Sequence, residues 1–343
     1  MSKIKVMVVD DSVVIREMLA EIIKNSDTLE LVASCSDPID AQEKLKKVTP
    51  DVITLDVVMP HMDGITFLKK LMKVQAIPTI MFSSLTSKGA SETIEALESG
   101  AVDYIHKPKD ASVKYLNQYE KDVVEKIEAA SKAKVQIVKP SMIKKYANAS
   151  NTVNNKSLVV IGSSTGGIEA LSIIMQSLPS GGPPIVIVQH LPSSFTDSVV
   201  SKMNSHSEVS VVIAKDGQLL EQGKVYFAPG DKHIKIGKDL SGYQINITDD
   251  EEVNRHKPSV DYLFLSIAKA KIKDACGVLL TGMGRDGARG LLEMNKIGCH
   301  TIAQDEDSST IWGMPGAAVK LGAATEVLNI TDITGSILER TRN

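Results

Sequence analysis

Residues 157–167 read SLVVIGSSTGG. Four apolar residues, Leu158 to Ile161, run into a turn built from glycine, serine and threonine, and Ile168-Glu169-Ala170-Leu171 then takes up helical spacing. A buried strand, a tight turn and a helix start are thus written in one line. The frame G-x-S-x-G fits Gly162 to Gly166 with Ser164 at its centre. A serine on such a turn is held out of the sheet, beside backbone N–H groups at a helix N-terminus, where a nucleophile needs to be. The same turn could cradle a phosphate, or serve only as a turn.

Outward from this stretch the strand–helix alternation continues. A strand at 184–188 ends on Gln189 and His190 and is followed by a helix at 193–204. Short strands at 209–214, 224–228, 233–237 and 243–248 include an antiparallel hairpin. A helix at 259–270 enters from Pro258. A strand at 275–280 ends on TGMGRDG, a helix runs to Lys296, and a strand follows at 299–303. This pattern predicts a second α/β sheet, mostly parallel. Ser164, His190 and Asp286 all follow apolar runs, so neighbouring strands would bring them to one rim. A serine needs a base, and that base needs a carboxylate to fix its tautomer and stabilise its charged form. His233 and His256 are rival bases, but they sit in loops or at hairpin edges. The chain order Ser, His, Asp differs from that of α/β-hydrolases. Backbone N–H groups around Met283, between Gly282 and Gly284, could receive an oxyanion.

Inward, toward the N-terminus, a second alternation precedes this one. Strands at 4–9, 29–34, 51–55, 78–82 and 102–105 alternate with helices at 13–23, 37–47, 64–74, 91–99 and from about 111. Five strands and five helices predict a doubly wound parallel sheet. Asp10, Asp11, Asp56, Ser83 and Lys107 all fall at strand C-terminal ends, on the ligand-binding rim of such a sheet. Crowded carboxylates there call for a cation, and Mg²⁺ suits an all-oxygen site. Lys107 offers a point charge to a phosphoryl group, so the cluster points to phosphoryl chemistry at Asp56.

Length and composition agree with two soluble domains. The chain has 343 residues, 43% hydrophobic and 24% charged, with a net charge of −3. No basic footprint for nucleic acid is present. From Lys156 onward there are 18 basic and 21 acidic residues and no helix-turn-helix pattern. Cys35, Cys276 and Cys299 show no metal or disulfide spacing and suit a reducing cytoplasm. No signal peptide or bilayer-length apolar run is visible, so the expected location is cytoplasmic, without direct membrane insertion. The organisation expected is a first domain over 1–130, a lysine-, asparagine- and serine-rich tether over 131–156, and a catalytic domain over 157–343.

Two resemblances sharpen this reading. DDS at 10–12, LDVVMPHMDG at 55–64, FSS at 82–84 and HKP at 106–108 resemble a response-regulator receiver domain. The resemblance implies that Asp56 accepts a phosphoryl group from a chemotaxis histidine kinase, with Asp10, Asp11 and Asp56 holding Mg²⁺. It also implies that Ser83 and Lys107 contact the phosphoryl group and that Tyr104 stands at the aromatic switch position. GSSTGG at 162–167, QHLP at 189–192, APG at 228–230, HKPSVDYLF at 256–264, LLTGMGRDGARGLL at 279–292 and TIAQDEDSSTIWGMP at 301–315 resemble the chemotaxis protein-glutamate methylesterase family, CheB. This implies Ser164 as nucleophile, His190 as base, Asp286 as its partner and the Met283 amide in the oxyanion hole. No cofactor is implied for ester hydrolysis. The implied substrates are glutamyl methyl esters on the cytoplasmic helices of chemoreceptors, with receptor glutamines deamidated as well. An unphosphorylated receiver is expected to restrain the catalytic domain. The rival expectations are a response regulator with a non-catalytic, for example DNA-binding, output and a nucleotide-binding turn at 162–167.

Overall fold

The computed structural model describes residues 2–83, 87–108, 113–135, 140–146, 157–240 and 242–341. The chain divides into two compact units, Met1–Ile137 and Val138–Asn343.

In the first unit β1 (Ile4–Val9), α1 (Val13–Asn25), β2 (Leu29–Cys35), α2 (Pro38–Leu45), β3 (Val52–Asp56), α3 (Gly64–Val74), β4 (Thr79–Ser83), α4 (Ser87–Glu98), β5 (Asp103–His106) and α5 (Val113–Ala130) alternate without interruption. The strands form one parallel sheet in the order β2-β1-β3-β4-β5. The inner strands β3 and β4 are buried along their whole length, as continuous apolar runs covered on both faces must be. The edge strand β2 is partly wet. Val6, Val8, Phe82 and Ile80 pack on Leu19 and Ile23 of α1 and on Val123 and Ile127 of α5. Helix starts are fixed by side-chain caps. Asp37 accepts the amides of Ile39 and Asp40 at 2.8 and 2.9 Å, and Asp63 accepts that of Thr66 at 2.7 Å. Helix α4 begins four residues before the expected 91, because Ser87-Lys88-Gly89-Ala90 carries no apolar periodicity to announce it. Of the FSS motif, Ser84 lies outside the described residues.

The second unit contains β6 (Leu158–Ser163), α6 (Gly167–Ser177), β7 (Ile185–Gln189), α7 (Ser193–Ser205), β8 (Ser210–Ile213), β9 (Lys224–Phe227), β10 (His233–Asp239), β11 (Gly242–Thr248), α8 (Val260–Lys269), β12 (Ala275–Leu279), α9 (Ala288–Lys296), β13 (His300–Gln304), α10 (Met314–Lys320), β14 (Glu326–Leu328) and α11 (Ile330–Arg340). Seven strands form a parallel sheet in the order β14-β13-β12-β6-β7-β9-β8. The antiparallel hairpin β10–β11 is a separate two-stranded sheet. Its apolar face, Ile234, Ile236 and Ile245, shares a core with Leu263, Phe264 and Ile267 of α8. The chain leaves β6 toward β7 on one side and returns through β12 on the other. The C-terminal ends of β6, β7 and β12 therefore meet at a switch in strand order, the place where open α/β sheets bind ligands.

The expected tether, 131–156, lies outside the described residues at 136–139 and 147–156. Of the rest, Val135 packs against the first unit's core, and Tyr146 packs against Leu338 of α11. All three cysteines are free and buried. Among the described residues no helix is long and apolar enough to cross a membrane.

Candidate functional site

Strand order places Ser164 immediately after β6, His190 immediately after the neighbouring β7, and Asp286 in the loop after β12 on the other side. The Ser164 Oγ lies 3.1 Å from His190 Nδ1, and His190 Nε2 lies 2.9 Å from Asp286 Oδ2. For Nδ1 to take the serine proton it must be the bare nitrogen, so Nε2–H donates to Asp286. His190 thus faces Ser164 with Nδ1 and Asp286 with Nε2.

Asp286 is buried but saturated with donors. Its Oδ1 accepts from Asn254 Nδ2 at 2.6 Å, Ser259 Oγ at 2.9 Å and the Asp261 amide at 3.2 Å. Its Oδ2 accepts from the Val260 amide at 2.7 Å besides His190. The amides belong to the start of α8, where Ser259 is the N-cap, so the carboxylate sits on a helix N-terminus. Burial alone pushes the Asp286 carboxyl up. The hydrogen bond and electrostatic attraction of His190, with the hydrogen bonds from Asn254 and Val260, outweigh it and leave the group lowered to about 2.

The turn that carries Ser164 is locked by hydrogen bonds from the neighbouring strand. Ser163 Oγ donates to Gln189 Oε1 at 2.6 Å, and Gln189 Nε2 donates to the Ser164 carbonyl at 2.9 Å. Gly166 caps α6 in the left-handed region at φ 75°, which a residue with a Cβ rarely adopts. Gly282 is required by a close approach: a Cβ there would lie 2.4 Å from Met314 Sδ and 2.8 Å from Ser164 Cβ. Two amides near the hydroxyl are already committed, Ser164 N to the Thr281 carbonyl and Gly282 N to the Ile311 carbonyl, both at 3.0 Å. The Met283 amide donates to no partner among the described residues, as an oxyanion donor must before substrate arrives.

The rival histidines have other work. His233 is fully buried at the start of β10, with Nε2 on the Glu251 carbonyl at 2.9 Å and its ring stacked on Tyr262. His256 stacks face to face on His190, with ring centroids 3.7 Å apart. Sequence reasoning missed Asn254, Ser259, Asp261 and His256 as neighbours of the triad. The signal was a serine opening a helix, Ser259-Val260-Asp261, whose unpaired amides attract a carboxylate.

In the first unit the rim residues also come together. Ligand atoms of Asp10, Asp11 and Asp56 lie within 4.8 Å of one another. Lys107 Nζ reaches Asp56 Oδ2 at 2.8 Å and Asp10 Oδ2 at 3.0 Å. Burial, reinforced by the Asp10 charge, raises the Asp56 carboxyl to about 6 even with Lys107 bonded to it. Asp10 Oδ2 is buried with no donor of hydrogen-bonding geometry. Three clustered carboxylates, with Asp10 Oδ2 buried and faced only by the Lys107 ammonium, are an all-oxygen set that fits a hard divalent cation. Ser83 is buried, and its hydroxyl is held on α4 by Thr93 Oγ1 at 2.7 Å. Tyr104 is buried edge-on to His106, with the Lys126 ammonium 4.9 Å from its ring centroid.

The CheB methylesterase family model matches residues 159–337, and the response regulator receiver domain model matches residues 6–115. A protein from Hydrogenovibrio crunogenus named protein-glutamate methylesterase/protein-glutamine glutaminase is 44% identical over 98% of this chain and 99% of its own length. One of the same name from Salmonella typhi is 43% identical over 99% of this chain and 97% of its own. The crystal structure of the Thermotoga maritima CheB methylesterase catalytic domain superposes with a TM-score of 0.52 at 36% identity, covering 53% of this chain and 97% of that one. A non-catalytic output and a nucleotide-binding turn find no support beside these matches. With the serine, imidazole and carboxylate joined on one rim and a receiver ahead of them, the chain belongs to the CheB methylesterase family.

Proposed function

We propose that this protein hydrolyses glutamyl methyl esters on the cytoplasmic helices of chemoreceptors and deamidates receptor glutamines, under control of phosphorylation at Asp56. The continuous hydrogen-bonded chain Ser164–His190–Asp286 carries the reading. Its relatives' name supplies the substrate class. His190 Nδ1 takes the Ser164 proton as Oγ attacks the ester carbonyl. The oxyanion is received by the Met283 amide, and the imidazolium is held by Asp286. His190 then returns the proton to the departing methoxide and methanol leaves; water, deprotonated by the same nitrogen, attacks the acyl-enzyme, the bond to Ser164 Oγ breaks, and the proton passes from His190 to that oxygen as glutamate is released. A glutamine follows the same path with ammonia leaving.

In the receiver, Asp56 takes the phosphoryl group from a chemotaxis histidine kinase, with Lys107 beside it. Asp10, Asp11 and Asp56 would hold a divalent cation, Mg²⁺ on this reading, which compensates charge on the phosphoryl oxygens when bound. Ser83 and Tyr104 change contacts when the phosphoryl group arrives, and the catalytic domain is released from restraint. The test is methanol release from methylated receptor membranes with and without acetyl phosphate. Wild type should turn over faster with the phosphodonor, Ser164→Ala should release none, and normal turnover by that variant would remove Ser164 from the mechanism.

A further inference from the structure

The tripeptide Asn254-Arg255-His256 belongs to no helix or strand, yet two of its side chains touch the triad. Asn254 and Arg255 both adopt left-handed backbone, at φ 55° and 67°, a conformation that costs non-glycine residues about 1 kcal/mol or more. Reciprocal bonds between Val253 and His256, at 3.1 and 3.0 Å, close the turn. It presents the His256 ring to His190 and the Asn254 amide to Asp286.

Asn254 Nδ2 has two hydrogens and meets two carboxylates. It lies 2.6 Å from Asp286 Oδ1 and 2.8 Å from Asp261 Oδ2. Both neighbours only accept, so the amide nitrogen must face them. Asp261 is itself buried, with Oδ1 receiving the Gly290 amide at 2.6 Å. Its own amide reaches Asp286 Oδ1 at 3.2 Å. A closed ring results: Asp286 Oδ1 to Asp261 N, through that residue to its Oδ2, to Asn254 Nδ2 and back. Two buried carboxylates this close repel, and the shared amide places one donor hydrogen on each of them.

We infer that Asn254 is a positioning residue for the esterase reaction, held by Asp261, which fixes the Asp286 carboxylate in line with His190 Nε2. The inference rests on the triad reading above. Asp286 is needed most when His190 carries the proton, so a misaligned carboxylate raises the barrier without weakening receptor binding.

The experiment measures methanol release by the phosphorylated full-length protein over a range of methylated receptor concentrations. Asn254→Ala removes one charge-assisted bond to each carboxylate. It should lower kcat by about 10- to 100-fold and leave KM within about twofold. Asn254→Asp should lose at least as much, because it brings a third carboxylate into the ring. Asp261→Asn must keep its oxygen on the Gly290 amide, which turns its own NH2 against Asn254, so it should lower kcat in the same way. The double variant Asn254→Ala/Asp261→Asn should be no slower than Asn254→Ala alone within about twofold, since one acts through the other. A normal kcat in Asn254→Ala or Asn254→Asp, a loss carried by KM, or losses that multiply in the double variant would overturn the inference. Ser164→Ala, run alongside, separates the two levels. If it is dead while Asn254→Ala is normal, only the positioning role falls. If it is active, the triad itself falls.

Discussion

Replacing Asp286 by Asn tests the catalytic reading at its most buried point. The Asp286 side chain is 1% exposed and its Oδ2 lies 2.9 Å from His190 Nε2. Once His190 holds the serine proton, the pair is a full ion pair. At an effective dielectric near 20, unit charges about 3 Å apart attract by roughly 5 kcal/mol, so losing the anion should slow turnover by about 10³- to 10⁴-fold. The amide that replaces the carboxylate fits neither way round. With its oxygen at Oδ2 it keeps His190 and Val260 but sets its NH2 against the Asp261 amide. With its oxygen at Oδ1 the NH2 opposes the Val260 amide, and His190 is driven to the tautomer that cannot accept the Ser164 proton. The variant should also be less stable at neutral pH, because lowering this carboxyl from 3.8 to about 2 corresponds to about 2 kcal/mol of preference for its charged form. Methanol release from methylated receptor membranes and a urea midpoint at pH 7 are the two measurements. Turnover within tenfold of wild type would refute the claim that Asp286 stabilises the imidazolium.

Further outcomes follow from other contacts. Asp286 has a folded pKa below its unfolded one, so its contribution to stability is fully present above about pH 4 and fades as the pH falls toward 2; the stability gap between wild type and Asp286→Asn should therefore shrink over that interval in urea titrations. Gly282→Ala puts a methyl group 2.8 Å from Ser164 Cβ and 2.4 Å from Met314 Sδ, and should cost at least about 100-fold in kcat, read by methanol release and by slowed labelling of Ser164 with a phosphonofluoridate. Asp56→Asn should abolish stimulation by acetyl phosphate while leaving basal methanol release intact. Removing residues 1–130 should raise basal turnover above that of the unphosphorylated full chain, measured in the same assay.

Parallel sheets make such sites legible, up to a limit. Strand ends of one parallel sheet share a rim, so Asp10, Asp56 and Lys107, and likewise Ser164 and His190, could be placed together from their positions after apolar runs. That β12 and β7 both flank β6 is set by long crossovers, and no local pattern states it. The ring nitrogen facing Ser164 depends on side-chain torsions of His190, which no spacing encodes. Asn254 reaches Asp286 from a turn with no periodicity, held by φ values that only three-dimensional packing selects. The last three elements differ in how plainly the sequence announces them. Strand β14 is three partly exposed residues, and α10 is rich in glycine and alanine. Helix α11 does carry Ile330, Ile333 and Ile337 at helical spacing behind an Asn329 cap, a pattern legible in sequence.

The two units set buried aspartates to opposite ends of the carboxyl range, and besides the neighbouring charges the supply of donors separates them. Asp56 is buried beside another carboxylate with Lys107 and the Val58 amide as its donors, and it stays raised to about 6. Asp286 is buried near another carboxylate too, but five donors fill its lone pairs and it falls to about 2. The difference matches the role proposed for each. A phosphoacceptor and cation ligand needs unfilled lone pairs to offer an incoming electrophile, and poor solvation leaves them available. A triad carboxylate must neither react nor move, and donors on every side prevent both. Removing donors from Asp286 therefore makes it resemble Asp56, more basic and less fixed, which is why the neighbouring amide of Asn254 matters to turnover although it touches no reacting atom.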